Sequence, residues 1–370
     1  MHTHPIAVIG AGIIGLLTAR ELALAGHKVV VFEQGAIGRE ASWAAGGILS
    51  PLHPWRYPDP VTWLARYGQD RYPDLCRDLA QTTGVDPEWT ESGLLRLGVD
   101  ESEAAQGWAT RFGVALERRE GGRALAGYEG EEAGLWMPTV AQVRSPRLLR
   151  ALAQDLKGLK VSLYENARVE AIRWQRGVFR GLVVNGEEVL AHQALVAGGP
   201  WSSGLLGRYG LNLPVGPVRG QMIVIQARPD TLTAMILKNA RYLVPRRDGA
   251  ILVGSTLEEV GFDKATTTDA REELVAAAID LLPALRSFSV THQWAGLRPS
   301  SPAGVPFIGA HPEIRGLFVN TGQFRNGVVL GPASALLAAD LMLGRDPRWD
   351  PAVYAPDRVS GGAAGEPVLG

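Results

Sequence analysis

Cysteine is almost missing from this sequence: Cys76 is the only one in 370 residues. A single thiol closes no internal disulfide and holds no cysteine-rich zinc or iron–sulfur site, so a reducing, cytoplasmic setting is expected. A surplus of either charge is missing too. With 37 basic and 38 acidic side chains the formal net charge is −1, which argues against a nucleic-acid partner or an anionic membrane surface. No stretch reaches the ~18 apolar residues that span a bilayer. The uncharged segment Pro5–Ala19 lacks the basic residues that precede a secretion signal, and Gly10, Gly12 and Gly15 interrupt it. The seven histidines, His2, His4, His27, His53, His192, His292 and His311, show no metal-ligand spacing, so no metal site is expected. Neither a G-x-S-x-G nucleophile turn nor a G-x-x-x-x-G-K-[ST] phosphate loop occurs. An apolar fraction of 46% leaves ample material for a core and excludes a disordered chain.

What is present begins at the N-terminus. Ile6–Ile9 is a short β-branched run, and Ile14, Leu17, Leu22 and Ala25 then fall at helical spacing before Gly26. Lys28–Glu33 is a second apolar strand ending in an acid, so the three pieces read as a right-handed parallel βαβ unit. Its first turn is Gly10-Ala11-Gly12-Ile13-Ile14-Gly15, a G-x-G-x-x-G. The first glycine permits the tight turn, the second lets a pyrophosphate approach the backbone, and the third lets helix and strand pack closely. Glu33 follows at the spacing at which a carboxylate receives ribose hydroxyls. These features together point to a dinucleotide and leave FAD and NAD equally open.

Beyond the βαβ unit, helices are expected over 60–83, 102–112, 147–156, 269–282 and 327–343. Strands are expected at 94–97, 194–197, 218–226, 241–245 and 250–253, the last two joined by the Asp248-Gly249 hairpin signal. The Gly- and Glu-rich stretch 121–134 reads as a loop. Parallel-sheet material is scattered between antiparallel segments, and there is no internal repeat. The expected organisation is therefore interleaved: residues 1–48, 145–213 and 293–350 form a dinucleotide domain, 49–144 and 214–292 a second domain, and 351–370 a flexible tail.

Three further segments carry candidate chemistry. Arg39–Ile48 is small and Gly/Ala-rich: it is either suited to close contact with a planar ligand, with Ser42 donating to a phosphate, or a plain surface turn leading into a helix. Arg298 stands between apolar neighbours in Trp294–Pro299, where a guanidinium either grips a carboxylate with two parallel hydrogen bonds or pairs with a structural acid. Tyr242, on the hairpin strand, either supplies a hydroxyl to the same carboxylate or fills the sheet. Thr321–Gly327 opens the last long helix, aiming free N–H groups and a positive dipole end at whatever lies before it. Arg325 in that turn is either a second carboxylate contact or a solvated cap residue.

The order of GAGIIG with Glu33, ASWAAGGIL at 41–49, ARYLVPRRDGAILVGSTLEEVGFD at 240–263, WAGLRPSSPAGVPFIG at 294–309 and TGQFRNGVVLGPASALLAADL at 321–341 resembles that of the D-amino acid oxidase family of FAD-dependent amine oxidases. The similarity is greatest to its glycine-oxidising branch, which serves thiamine biosynthesis, and it extends to about residue 350. The resemblance implies an α/β fold in which a Rossmann-like FAD-binding domain is interleaved with an α+β substrate domain built on a mixed or antiparallel sheet. It implies FAD held without a covalent bond, Cys76 being remote in the chain from any flavin contact. The implied cofactor contacts are Gly10, Ala11, Gly12, Ile13, Ile14, Gly15, Glu33, Gln34, Ser42, Ala44, Ala45, Gly47, Ile48, Val169, Ala197, Gly198, Trp201, Asn326, Gly327, Val328, Val329 and Leu330. Arg298, Tyr242 and Arg325 are the implied substrate contacts.

The implied reaction is oxidative deamination of glycine or small D- or N-methyl amino acids. Hydride transfer to flavin N5 gives an imine, then a 2-oxo acid and ammonia, and oxygen is reduced to peroxide. No side-chain acid or base is required. A D-amino-acid dehydrogenase passing electrons to a quinone or another acceptor is the alternative. Relatives of this size often self-associate, so a homo-oligomer is expected. Three positions depart from the family pattern: Ala303 for a frequent aspartate, Gln323 for a frequent histidine and Ile48 for a common methionine. All three concern the substrate pocket rather than the cofactor.

Overall fold

Two large sheets organise the chain in the computed structural model, which describes residues 4–120, 128 and 130–358. The first has six strands in the spatial order Phe307–Ala310, Leu317–Thr321, Gln193–Val196, Ile6–Ile9, Val29–Phe32, Ser162–Tyr164. All neighbours are parallel except the first pair, which is antiparallel. The central strand is buried on both faces, and its two-residue period feeds two cores. Ile6 and Val8 pack toward helices Ile13–Leu24, Asp59–Thr83, Ser145–Gly158 and Gly327–Leu343. Ala7 and Ile9 pack toward the three-stranded sheet formed by 169–175, 178–184 and 187–190.

The second sheet has eight strands in the order Ser289–Pro299, Pro217–Gln226, Ala250–Gly254, Arg241–Pro245, Met235–Lys238, Leu94–Leu97, Gly134–Met137, Glu117–Arg119. One face, with Ile223, Ile225, Leu243 and Val253, is covered by helix Thr268–Leu281. The opposite face carries Met222, Tyr242 and Val244 and packs with Ile48, Leu52 and Trp294. Alternation thus sends Tyr242 toward the segment that follows Glu33.

The α/β fold with a mixed sheet is present, and several element positions match the sequence pattern to within a residue or two. Three details differ from the expected partition. Arg298 sits on an edge strand of the antiparallel sheet, so a boundary at 293 falls inside strand Ser289–Pro299. Helix Asp59–Thr83, assigned by sequence to the second domain, packs in the core of the parallel sheet. The chain does not fray at 351. Pro351–Tyr354 is a 3-10 turn, Tyr354 is buried with its hydroxyl donating to the Pro60 carbonyl at 2.9 Å, and Arg358 lies over the ring of Phe307. Residues 359–370 and most of the 121–134 stretch lie outside the described residues.

The packing of helix Asp59–Thr83 has a specific cause. Pro332, inside helix Gly327–Leu343, has no N–H and leaves the carbonyl of Val328 without its helical donor. The buried hydroxyl of Tyr72 donates to that carbonyl at 2.7 Å. One turn earlier, Gly68 lies against the carbonyl of Val329, where any Cβ would overlap it. The long helix is thereby seated on the first turn of the last one. Among the described residues no helix is long and apolar enough to cross a membrane.

Candidate active site

A cavity of about 540 Å³ lies where the two sheets meet. Its walls include the glycine turn after the first strand, the 40–48 segment, the 197–203 turn, the Met222–Tyr242 face and the entry to the last helix.

At the dinucleotide end, Gly10 has φ +104°, and a Cβ there would stand 2.5 Å from the carbonyl oxygen of Ala197. A Cβ on Gly15 would overlap the carbonyl of Gly10, so this glycine serves the close crossing of helix and turn. Glu33 is buried, and its carboxylate accepts the N–H of Ala11 at 2.8 Å and of Gly35 at 3.0 Å. Its first function is to brace the turn, and the remaining lone pairs face the cavity. Ser42 likewise has a prior duty: its Oγ accepts the N–H of Ile13 at 2.9 Å, tying the 41–48 segment to the start of the first helix while keeping its own proton to donate.

The 44–48 segment is pinned from behind. The guanidinium of half-buried Arg246 donates to the carbonyls of Gly46 and Val143 and to Gln142, and Gly47 has no room for a Cβ against the Val143 carbonyl. Burial and the neighbouring Arg144 hold the Arg246 pKa down to about 10. At the other wall, Leu330 is the first residue of the last helix to bond back, to the carbonyl of Asn326. The N–H groups of Gly327, Val328 and Val329 therefore have no intrahelical acceptor.

At the far end Arg298 is fixed by donating to Ser255 Oγ at 2.8 Å and to the Thr256 carbonyl at 3.1 Å. It forms no salt bridge among the described residues, and neither does Arg325, whose buried Nη2 has no acceptor. Burial pushes the Arg298 pKa down to about 10, with Tyr242 opposing the fall and Arg325 adding to it. The Tyr242 hydroxyl stands beside the guanidinium and interacts with it, and its proton points no nearer than 4.0 Å to Met222 Sδ. Two cations and a phenol thus converge where, among the described residues, no acid forms an ion pair with either cation.

Most of the residues expected from sequence share this cavity wall. Arg298, Tyr242, Arg325, Ile48, Val169, Trp201 and Asn326 are brought together from segments far apart in the chain. Ala11, Gly15, Val329 and Leu330 do not line it: their side chains, or the lack of one, serve the turn and the helix core. The glycines that make room escaped the sequence reading. A Cβ on Gly220 would overlap the Arg298 guanidinium, and one on Gly254 would stand 2.5 Å from the Tyr242 hydroxyl. Glycines inside otherwise apolar strands are the available signal, since they mark close approach. Ser255 and Thr256, which hold Arg298, carried no signal at all.

Residues 5–341 match the family described as DAO: FAD dependent oxidoreductase. Glycine oxidase of Pseudomonas aeruginosa is 49% identical over 95% of this chain and 98% of its own length. Glycine oxidase of Pseudomonas putida is 46% identical over 95% and 98%. The crystal structure of glycine oxidase from Geobacillus kaustophilus superposes with a TM-score of 0.91 at 31% identity, covering 97% of this chain and 99% of that one. The chain therefore belongs to the DAO family of FAD dependent oxidoreductases.

Proposed function

We propose that the protein oxidises glycine or small D- or N-methyl amino acids, passing the electrons to oxygen. The observation that carries this reading is the unpaired cationic end of the cavity. Arg298 is half-buried in the cavity wall with no salt-bridge partner among the described residues, and a substrate carboxylate is the anion that would complete it. Two of its five N–H groups are spent on Ser255 and Thr256 and Tyr242 stands against the guanidinium, which leaves N–H groups for a carboxylate. Tyr242 adds a hydroxyl to the same anion. The printed names of the Pseudomonas and Geobacillus relatives point to glycine among the small amino acids.

FAD fits the rest of the cavity. The turn at Gly10 excludes any Cβ and, among the described residues, the N–H groups of 327–329 have no acceptor and the buried Nδ2 of Asn326 has no partner. When bound, FAD supplies the acceptor for a hydride from the substrate α-carbon. The chain's own residues bind and orient: Arg298 and Tyr242 hold the carboxylate, and the helix dipole at Gly327 favours negative charge beside it. Loss of two electrons from the C–N unit leaves an imino acid, which water converts to a 2-oxo acid and ammonia. No acid or base is assigned among the side chains.

A cytoplasmic, self-associating protein completes the reading. The test is a panel of amino acids assayed with the FAD-loaded protein in an oxygen electrode and, separately, with an electron-accepting dye. Oxygen uptake with matching peroxide on glycine, sarcosine or D-alanine supports it. Dye reduction without oxygen uptake would make the protein a dehydrogenase, and silence across the panel would refute the substrate class.

A further inference from the structure

Gln323 is buried at the entry to the last helix, opens onto the cavity and belongs to a chain of amides whose direction is fixed at its far end. The carbonyl oxygen of Ser334 can only accept. The group facing it, 2.9 Å away, must therefore be the amide nitrogen of Asn320. That orientation turns the Asn320 oxygen toward Gln323, where it accepts from Nε2 at 2.6 Å. Gln323 is then left with its own carbonyl oxygen outward. No donor among the described residues reaches that oxygen. Asn326, three residues on, also lines the cavity, and its buried Nδ2 has no acceptor among the described residues.

We propose that Gln323 is a positioning residue whose carbonyl oxygen, held outward by the Asn320–Ser334 relay, accepts an N–H group from a ligand in the cavity. Asn326 offers the complementary donor. The N–H comes either from the cofactor ring or from the substrate amino group. The inference rests on the oxidase reading above, and the wild-type protein, bound to FAD and turning over an amino acid, establishes that reading before any variant is made. The energetic reason is that this oxygen opens onto the cavity, so a ligand that covers it displaces its water and must supply the replacement hydrogen bond.

The experiment compares Gln323→Leu, Gln323→His and Gln323→Glu. Three quantities are read for each: FAD affinity by visible-absorption titration, the glycine KM, and the inhibition constant of acetate, which has a carboxylate and no amine. A neutral imidazole donates from one nitrogen and accepts at the other, as this amide does, so Gln323→His should retain binding near neutral pH. A carboxylate cannot donate to Asn320, so Gln323→Glu should lose it despite its shape. If the cofactor ring is the donor, Gln323→Leu weakens FAD about tenfold and shifts its visible band. If the substrate amine is the donor, the glycine KM rises about tenfold while acetate and FAD binding hold. Asn320→Leu, which frees the amide to turn, should reproduce part of whichever loss is seen. Equal losses in the His and Leu variants, or no change in either readout, overturn the proposal.

Discussion

Replacing Gly220 by alanine moves the carboxylate anchor without touching its charge. Gly220 lies mid-strand in Pro217–Gln226 opposite Gly296, and its Cβ would fall inside the guanidinium of Arg298. The side chain must swing away, giving up Ser255 Oγ and the Thr256 carbonyl and with them the geometry for two parallel bonds to a carboxylate. A hydrogen bond to a charged group contributes roughly 1.5–3 kcal/mol. Losing the alignment of one such bond corresponds to roughly a tenfold to hundredfold rise in KM, at about 1.4 kcal/mol per factor of ten. The dinucleotide turn is on the other sheet, so FAD affinity should hold. Steady-state peroxide release on glycine, paired with FAD titration, reads both quantities. An unchanged KM in a protein that still binds FAD would mean that this guanidinium is not the anchor.

Other perturbations are equally specific. Gly10→Ala forces a side chain onto φ +104° and against the Ala197 carbonyl, so FAD affinity should fall at least about tenfold in a visible-absorption titration. Tyr72→Phe leaves the Val328 carbonyl buried without a donor and should cost about 1–3 kcal/mol in urea unfolding, with little effect on KM. His53 is buried, and desolvation, helped by Arg56 and Arg96, lowers its pKa from 6.5 to about 4. Between those values the unfolded chain binds a proton that the folded one refuses. Its contribution is therefore complete above pH 6.5 and is lost on acidification toward 4, by up to roughly 3 kcal/mol. Urea unfolding at pH 7 and pH 5 should show that loss in the wild type and a smaller one in His53→Gln.

The parts of this site that could be read in the sequence are those whose physics is local. Gly10, Gly12 and Gly15 announce a turn because only a bare backbone fits it, and Glu33 follows from strand length. The last helix was readable from Gly327 to Leu343 because apolar residues run its whole length. What escaped depends on contacts between distant segments. From its neighbours Arg298 reads first as a structural ion-pair partner, and only its lack of a salt bridge among the described residues marks it as an open anchor. Gly220 and Gly254 matter only because the neighbouring strands bring Arg298 and Tyr242 over them. The seating of helix Asp59–Thr83 on the parallel-sheet core needed a proline at 332 and a tyrosine 260 positions earlier, which no periodicity connects. Glu33 and Ser42 were identified for ligand binding, while their bonds to Ala11, Gly35 and Ile13 are equally part of their role.

The central claim is that FAD and an amino acid anchored on Arg298 share one cavity. Anaerobic titration of the FAD-loaded protein with glycine, for the wild type and for Arg298→Leu, tests it without involving the electron acceptor. Bleaching of the visible flavin absorption by glycine in the wild type, and its loss or displacement to at least about tenfold higher glycine in the variant, is the predicted result. Bleaching of both proteins at the same glycine concentration would contradict the account.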